Sequence, residues 1–131
     1  MLIKNTVSLL LATSLLTACG SGEEALSKAA EGRWQALIQG NMEEAYQYYT
    51  DAFQKTTSQE MFKHKVHSGL WKKVKVKQIQ CVESGKRCDV AVDVAVVMRM
   101  PGLSKPMESH TTLHEVWVRD GWFSDWRYVD E

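Results

Sequence analysis

Two histidine pairs offer the first candidates for chemistry. His110 and His114 sit at even spacing on one alternating run, so they share a strand face about 13 Å apart and cannot hold one metal ion together. Either is a candidate general base beside a tyrosine or Asp93, although polar residues on such runs commonly face solvent. His64 and His67 are one helical turn apart and lack a third ligand at metal spacing. Asp89 and Asp93 alternate with alanine, which reads as a solvated or edge face before it reads as paired catalytic carboxylates. Tyr46, Tyr49, Trp71 and Trp117 are candidate pocket aromatics, as are Trp122, Trp126 and Tyr128; in a small domain such rings are core more often than ligand cage. No phosphate loop, nucleophile elbow or metalloprotease helix occurs, so no catalytic set, cofactor or metal is expected.

These residues must be positioned by one small domain. The chain has 131 residues, 16 basic and 16 acidic side chains, 44% hydrophobic residues and two prolines, which excludes a disordered or nucleic-acid-coating polypeptide. Leu26, Ala30, Trp34, Leu37 and Ile38 recur at helical spacing, and Gly40 supplies a left-handed stop. Asn41 with Glu44 opens a second helix along Met42, Ala45, Tyr46, Tyr49 and Phe53. Ser58 starts a third, of about ten residues, that runs toward Gly69.

Beyond Gly69 the period changes to two. Val74 and Val76 lie in one phase and Ile79 and Cys81 in the other, which predicts a bulge near Lys77 and Gln78. The alternation from Cys88 to Met98 predicts a central strand. A loop at 101–106, a long strand from Met107 to Arg119, a tight hairpin at Asp120 and Gly121, and a returning strand from Trp122 to Val129 complete the expectation. The fold class is therefore α+β, three N-terminal helices packed in a curved antiparallel sheet of about four strands. Lys63, Lys65, Lys72, Lys73, Lys75 and Lys77, with no acid in residues 61–80, form a basic patch suited to guarding an edge strand or meeting an acidic partner or anionic lipid.

Residues 1–18 have the shape of a secretory signal: Lys4, then a charge-free apolar run too short to span a bilayer. Leu16-Thr17-Ala18-Cys19 resembles the lipobox of bacterial lipoproteins. The resemblance implies cleavage before Cys19 and lipidation of its thiol, with residues 19–24 as a tether and 25–131 as the domain. Lys4 is the sole charge in the leader, so the remaining chain carries one net negative charge. Gly20 in place of Asp implies the outer membrane, facing the periplasm. Cys81 and Cys88 are then an even pair in an oxidising compartment, facing each other across a hairpin, and a structural disulfide is expected.

The run Trp34 to Tyr46, then Phe53 and the segment 58–62, resembles the helical opening of nuclear transport factor 2-like (cystatin-like) domains, and Glu115 to Phe123 resembles their last hairpin. The pattern is similar to envelope lipoproteins of that group with unknown function. It implies a cone whose open end holds a small apolar ligand or an active site. Three functions follow as expectations. The first is a non-enzymatic, lipid-anchored protein binding a small molecule or an envelope protein. The second is an isomerase or dehydratase using Tyr46 or Tyr49 with His110, His114 or Asp93. The third is a structural component that pairs through the sheet, for example as a homodimer. Nucleic acid is not an expected partner.

Overall fold

The computed structural model describes residues 21–66 and 71–131, and the readings on the leader, Cys19, His67 and Gly69 lie outside them. Helix α1 (Ser21–Gln39) buries Leu26, Ala30, Trp34 and Leu37 along one stripe. It stops as expected: Gly40 adopts φ 75°, its N–H donates to the Leu37 carbonyl (3.2 Å), and Asn41 N–H donates to Ala36 (2.8 Å), a Schellman closure. Its start differs from expectation, since residues 21–24, read as tether, form its first turn.

The expected second helix is two. α2 (Met42–Gln47) begins under the Asn41 cap and α3 (Asp51–Thr56) under Thr50, whose hydroxyl accepts from Phe53 N–H. The periodicity of Tyr49 and Phe53 is helical, but Tyr48, Tyr49 and Thr50 leave the helix to pair with the end of the chain. Tyr128 N–H donates to the Tyr48 carbonyl (2.7 Å), and Thr50 N–H donates to the Tyr128 carbonyl (3.3 Å). α4 (Gln59–Lys65), capped by Ser58, is the expected third helix at seven residues.

The sheet runs in the order β1 (Trp71–Cys81), β2 (Arg87–Met98), β3 (Met107–Val118), β4 (Arg127–Val129), antiparallel throughout. The register of β1 against β2 slips between Val76 and Gln78, where the alternation predicted a bulge. The lysine-rich β1 is an edge strand, as its composition suggests, and its Val76 N–H is met by the Glu31 carboxylate (3.4 Å). β2 turns Cys88, Val90, Val92 and Val94 onto the helices and is the floor of the core. Cys81 and Cys88 face each other at one end of the β1–β2 pair and are disulfide-bonded.

The returning strand is shorter than expected. Residues 119–126 form a loop, and β4 has three residues. Asp120 and Gly121 both keep negative φ, so they do not make the mirror-image hairpin turn that their pairing suggests. The loop is pulled aside by long-range bonds: Arg119 Nε donates to the Gly85 carbonyl (3.0 Å), and Trp126 Nε1 donates to the Gly22 carbonyl (3.2 Å). The outcome is an α+β cone, helices held in the concave side of a curved four-stranded sheet.

Candidate functional site

The interior of the cone is built around a buried ion pair. Arg33 projects from the apolar stripe of α1, one residue before Trp34, and Glu115 lies on the inner face of β3, two residues before Trp117. Both are nearly inaccessible, at 6% and 4% exposure. Arg33 Nη1 donates to Glu115 Oε2 (3.0 Å) and Nη2 donates to the Tyr49 hydroxyl (2.8 Å), while the guanidinium lies 3.6 Å over the Tyr128 ring. Two indoles complete the carboxylate. Trp34 Nε1 donates to Oε2 (2.7 Å) and Trp117 Nε1 to Oε1 (3.1 Å). Among the described residues only Arg33 Nε is a buried side-chain polar atom without a partner.

Burial raises the Tyr49 phenol pKa above its ordinary value, with the Arg33 charge and hydrogen bond opposing; burial also raises that of Tyr128. Both rings are neutral at physiological pH. A carboxylate with both oxygens occupied and a guanidinium bonded on both terminal nitrogens act on one another, which suits a locked interior better than proton transfer to a substrate. Sequence reading passed over Arg33 and Glu115. The available signal was a charge inside each apolar pattern: Arg33 between Ala30 and Leu37, and Glu115 in phase with Trp117.

Tyr46, Tyr49 and Trp117 are buried in this core, and Trp71 packs edge-on to Trp34 at 5.2 Å. Tyr46 donates its hydroxyl proton within bonding distance of two carbonyls, Thr57 (2.6 Å) and Gln54 (3.1 Å). His110, His114, Asp89 and Asp93 lie on the opposite, outer face of the sheet. His110 Nδ1 is 3.1 Å from Asp93 Oδ2 and its Nε2 is 3.1 Å from Glu108 Oε1; His114 Nδ1 is 3.1 Å from Asp89 Oδ1. The structure thus brings His110 to Asp93 and His114 to Asp89, and keeps all four apart from Tyr46 and Tyr49. Among the described residues no three His, Cys, Asp or Glu side chains are grouped to hold a metal ion.

A cavity of about 570 Å³ lies elsewhere, between the first turns of α1, Tyr48 and the 119–127 segment. Gly22, Ala25 and Ala29 form its helical wall, and Trp122, Phe123 and Trp126 its aromatic one. Arg119 is stacked between Trp122 (4.8 Å) and Trp126 (4.4 Å). Arg127 reaches the Gln47 carbonyl, and Glu44 and Asp125 offset the two arginines. Of the candidate aromatics read from the sequence, Trp122 and Trp126 line this cavity, whereas Tyr46, Tyr49, Trp71, Trp117 and Tyr128 do not. Its walls come from three segments far apart in the chain, and no local pattern marks them as neighbours.

The fold and this site define an α+β cone domain with a filled, ion-paired interior and a separate cavity at one end. No family model matches the chain, and no curated protein matches it. One similar solved structure is described as a "putative polyketide cyclase" from Xanthomonas campestris pv. campestris. It is 13% identical, with 85% of this chain and 93% of that chain covered, at a TM-score of 0.35.

Proposed function

We propose that the chain is a lipid-anchored bacterial envelope protein, cleaved before Cys19 and held at the outer membrane, whose domain binds a small molecule without transforming it. The carrying observation is the cavity of about 570 Å³, in the size range of small-ligand sites, beside a cone interior already occupied by its own side chains. Its mixed lining favours a ligand with an apolar face for Tyr48 and Trp122, and polar groups for Glu44, Asp125 and Arg127.

The test is native mass spectrometry of the protein extracted gently from its host envelope. A chain beginning at Cys19 with acyl mass, carrying a small-molecule adduct, is expected. Ala25 lines the cavity and is exposed, so Ala25→Trp fills the space with little demand on the core and removes the adduct. An adduct that persists in Ala25→Trp, or a bare chain in both, refutes the ligand reading. A mature chain without acyl mass refutes the anchor.

A further inference from the structure

We infer that the loop 120–125 dips into the same membrane leaflet that carries the Cys19 lipid, with Trp122 and Phe123 as interfacial anchors. The inference rests on the anchor reading above and adds a second point of membrane contact. Cys19 precedes Gly22 by three residues, which span about 11 Å at most. Gly22 is fixed to the loop. Its carbonyl accepts from Trp126 Nε1, and a side chain at this position would begin 3.3 Å from the Arg119 guanidinium nitrogens. Residues 21–24 are helical, so the domain has almost no free chain with which to stand away from the bilayer.

At this end the surface is apolar where water would be expected. Trp122 is 68% exposed and Phe123 is 104% exposed, adjacent in sequence. Arg119 stacks on one side of the loop and holds it through the Gly85 and Trp122 carbonyls, leaving the aromatic tips free. Tryptophan concentrates at the level of lipid head groups, and paired aromatics seat a surface-bound protein there. Charge does not explain the contact. Glu23, Glu24, Asp120 and Asp125 offset Lys86, Arg119 and Arg127 around the loop, so insertion proceeds through the rings rather than through attraction to anionic lipid. The cavity shares Trp122 and Phe123, which places it at the membrane surface, while the β2–β3 hairpin tip at residues 99–106 lies a full strand length away.

The experiment uses the full chain produced in a bacterial host, extracted and reconstituted into phosphatidylethanolamine/phosphatidylglycerol vesicles with a fraction of brominated phospholipid. Tryptophan quenching by the shallowest bromine position is expected, unchanged when salt is raised from low to high concentration. Trp122→Ala should lose at least half of the quenched fraction, and Leu103→Ala, at the far hairpin, none. Equal quenching in Trp122→Ala and wild type, or quenching abolished by salt, overturns the inference. Intact mass reports the acyl chains separately. If they are absent, the anchor reading fails alone. The same loop contact is then tested by joining the Cys19 thiol to a maleimide lipid in the vesicle, with the same two outcomes.

Discussion

Glu115→Gln is the sharpest probe of the interior, because it removes a charge and keeps the shape. In the wild type one carboxylate accepts from Arg33, Trp34 and Trp117. A glutamine has one accepting oxygen, so its amide must point hydrogens at the Trp117 indole or at the Arg33–Trp34 pair, where donors face donors. The guanidinium meanwhile stays buried, at 6% exposure, without a counter-charge. Breaking one partner from a buried ion pair costs about 3–5 kcal/mol, a large part of the roughly 5–15 kcal/mol that holds a domain of this size. Arg33→Met should fall at or below the lower end, since the carboxylate keeps its two indole donors. The double variant Arg33→Met/Glu115→Gln removes both charges while one oxygen still accepts from an indole, so its loss should lie well below the sum of the single losses, by about 2 kcal/mol or more. Urea unfolding of the chain without residues 1–19, followed by circular dichroism, gives all three values from the midpoint and slope. A loss below about 1 kcal/mol for Glu115→Gln, or losses additive within about 0.5 kcal/mol, would refute the claim that this pair locks the core.

Two further outcomes follow from local geometry. Tyr49 and Tyr128 have phenol pKa values raised above 10.0, so the folded chain holds protons that the unfolded chain releases. That stabilisation is whole below pH 10 and is lost as pH climbs from 10 toward the folded values; melting temperature should fall across this range, and more gently in Tyr128→Phe. Gly32→Ala, at a helical position of α1, would ordinarily stabilise by about 0.5–1 kcal/mol. Here the new methyl would sit 2.5 Å from the Tyr48 hydroxyl, so thermal melts should show no gain, and pairing the change with Tyr48→Phe should recover part of it.

Features whose cause is local were legible in the sequence. The Gly40 stop, the Asn41 and Ser58 caps, the β2 alternation and the bulge at Lys77 each follow from a few neighbouring residues, and the structure contains them. Cys81 and Cys88 pair because the same register sets them opposite each other. The readings that failed share a different physics. Tyr49 fits a helical stripe, yet its backbone segment gains more from Tyr128, dozens of residues away, than from extending α2. Asp120-Gly121 is a good hairpin signal, yet Arg119 and Trp126 commit the flanking chain to Gly85 and Gly22 before a tight turn can form.

Arg33 and Glu115 were hidden for a related reason, and they connect the interior to the cavity. Apolar residues alone would let α1 roll or slide on the sheet, because hydrophobic contact is not directional. The ion pair and its indoles are directional: Glu115 accepts from Arg33 Nη1 and Trp34 Nε1 together only if α1 presents both residues to β3. That fixes the rotation of α1. The same rotation, ten residues toward the N-terminus, brings Ala25 and Gly22 against the 119–127 segment and opens the cavity between them. Loss of the pair should therefore reach the cavity, and through Gly22 the 119–127 segment, even though neither charged side chain lines the cavity.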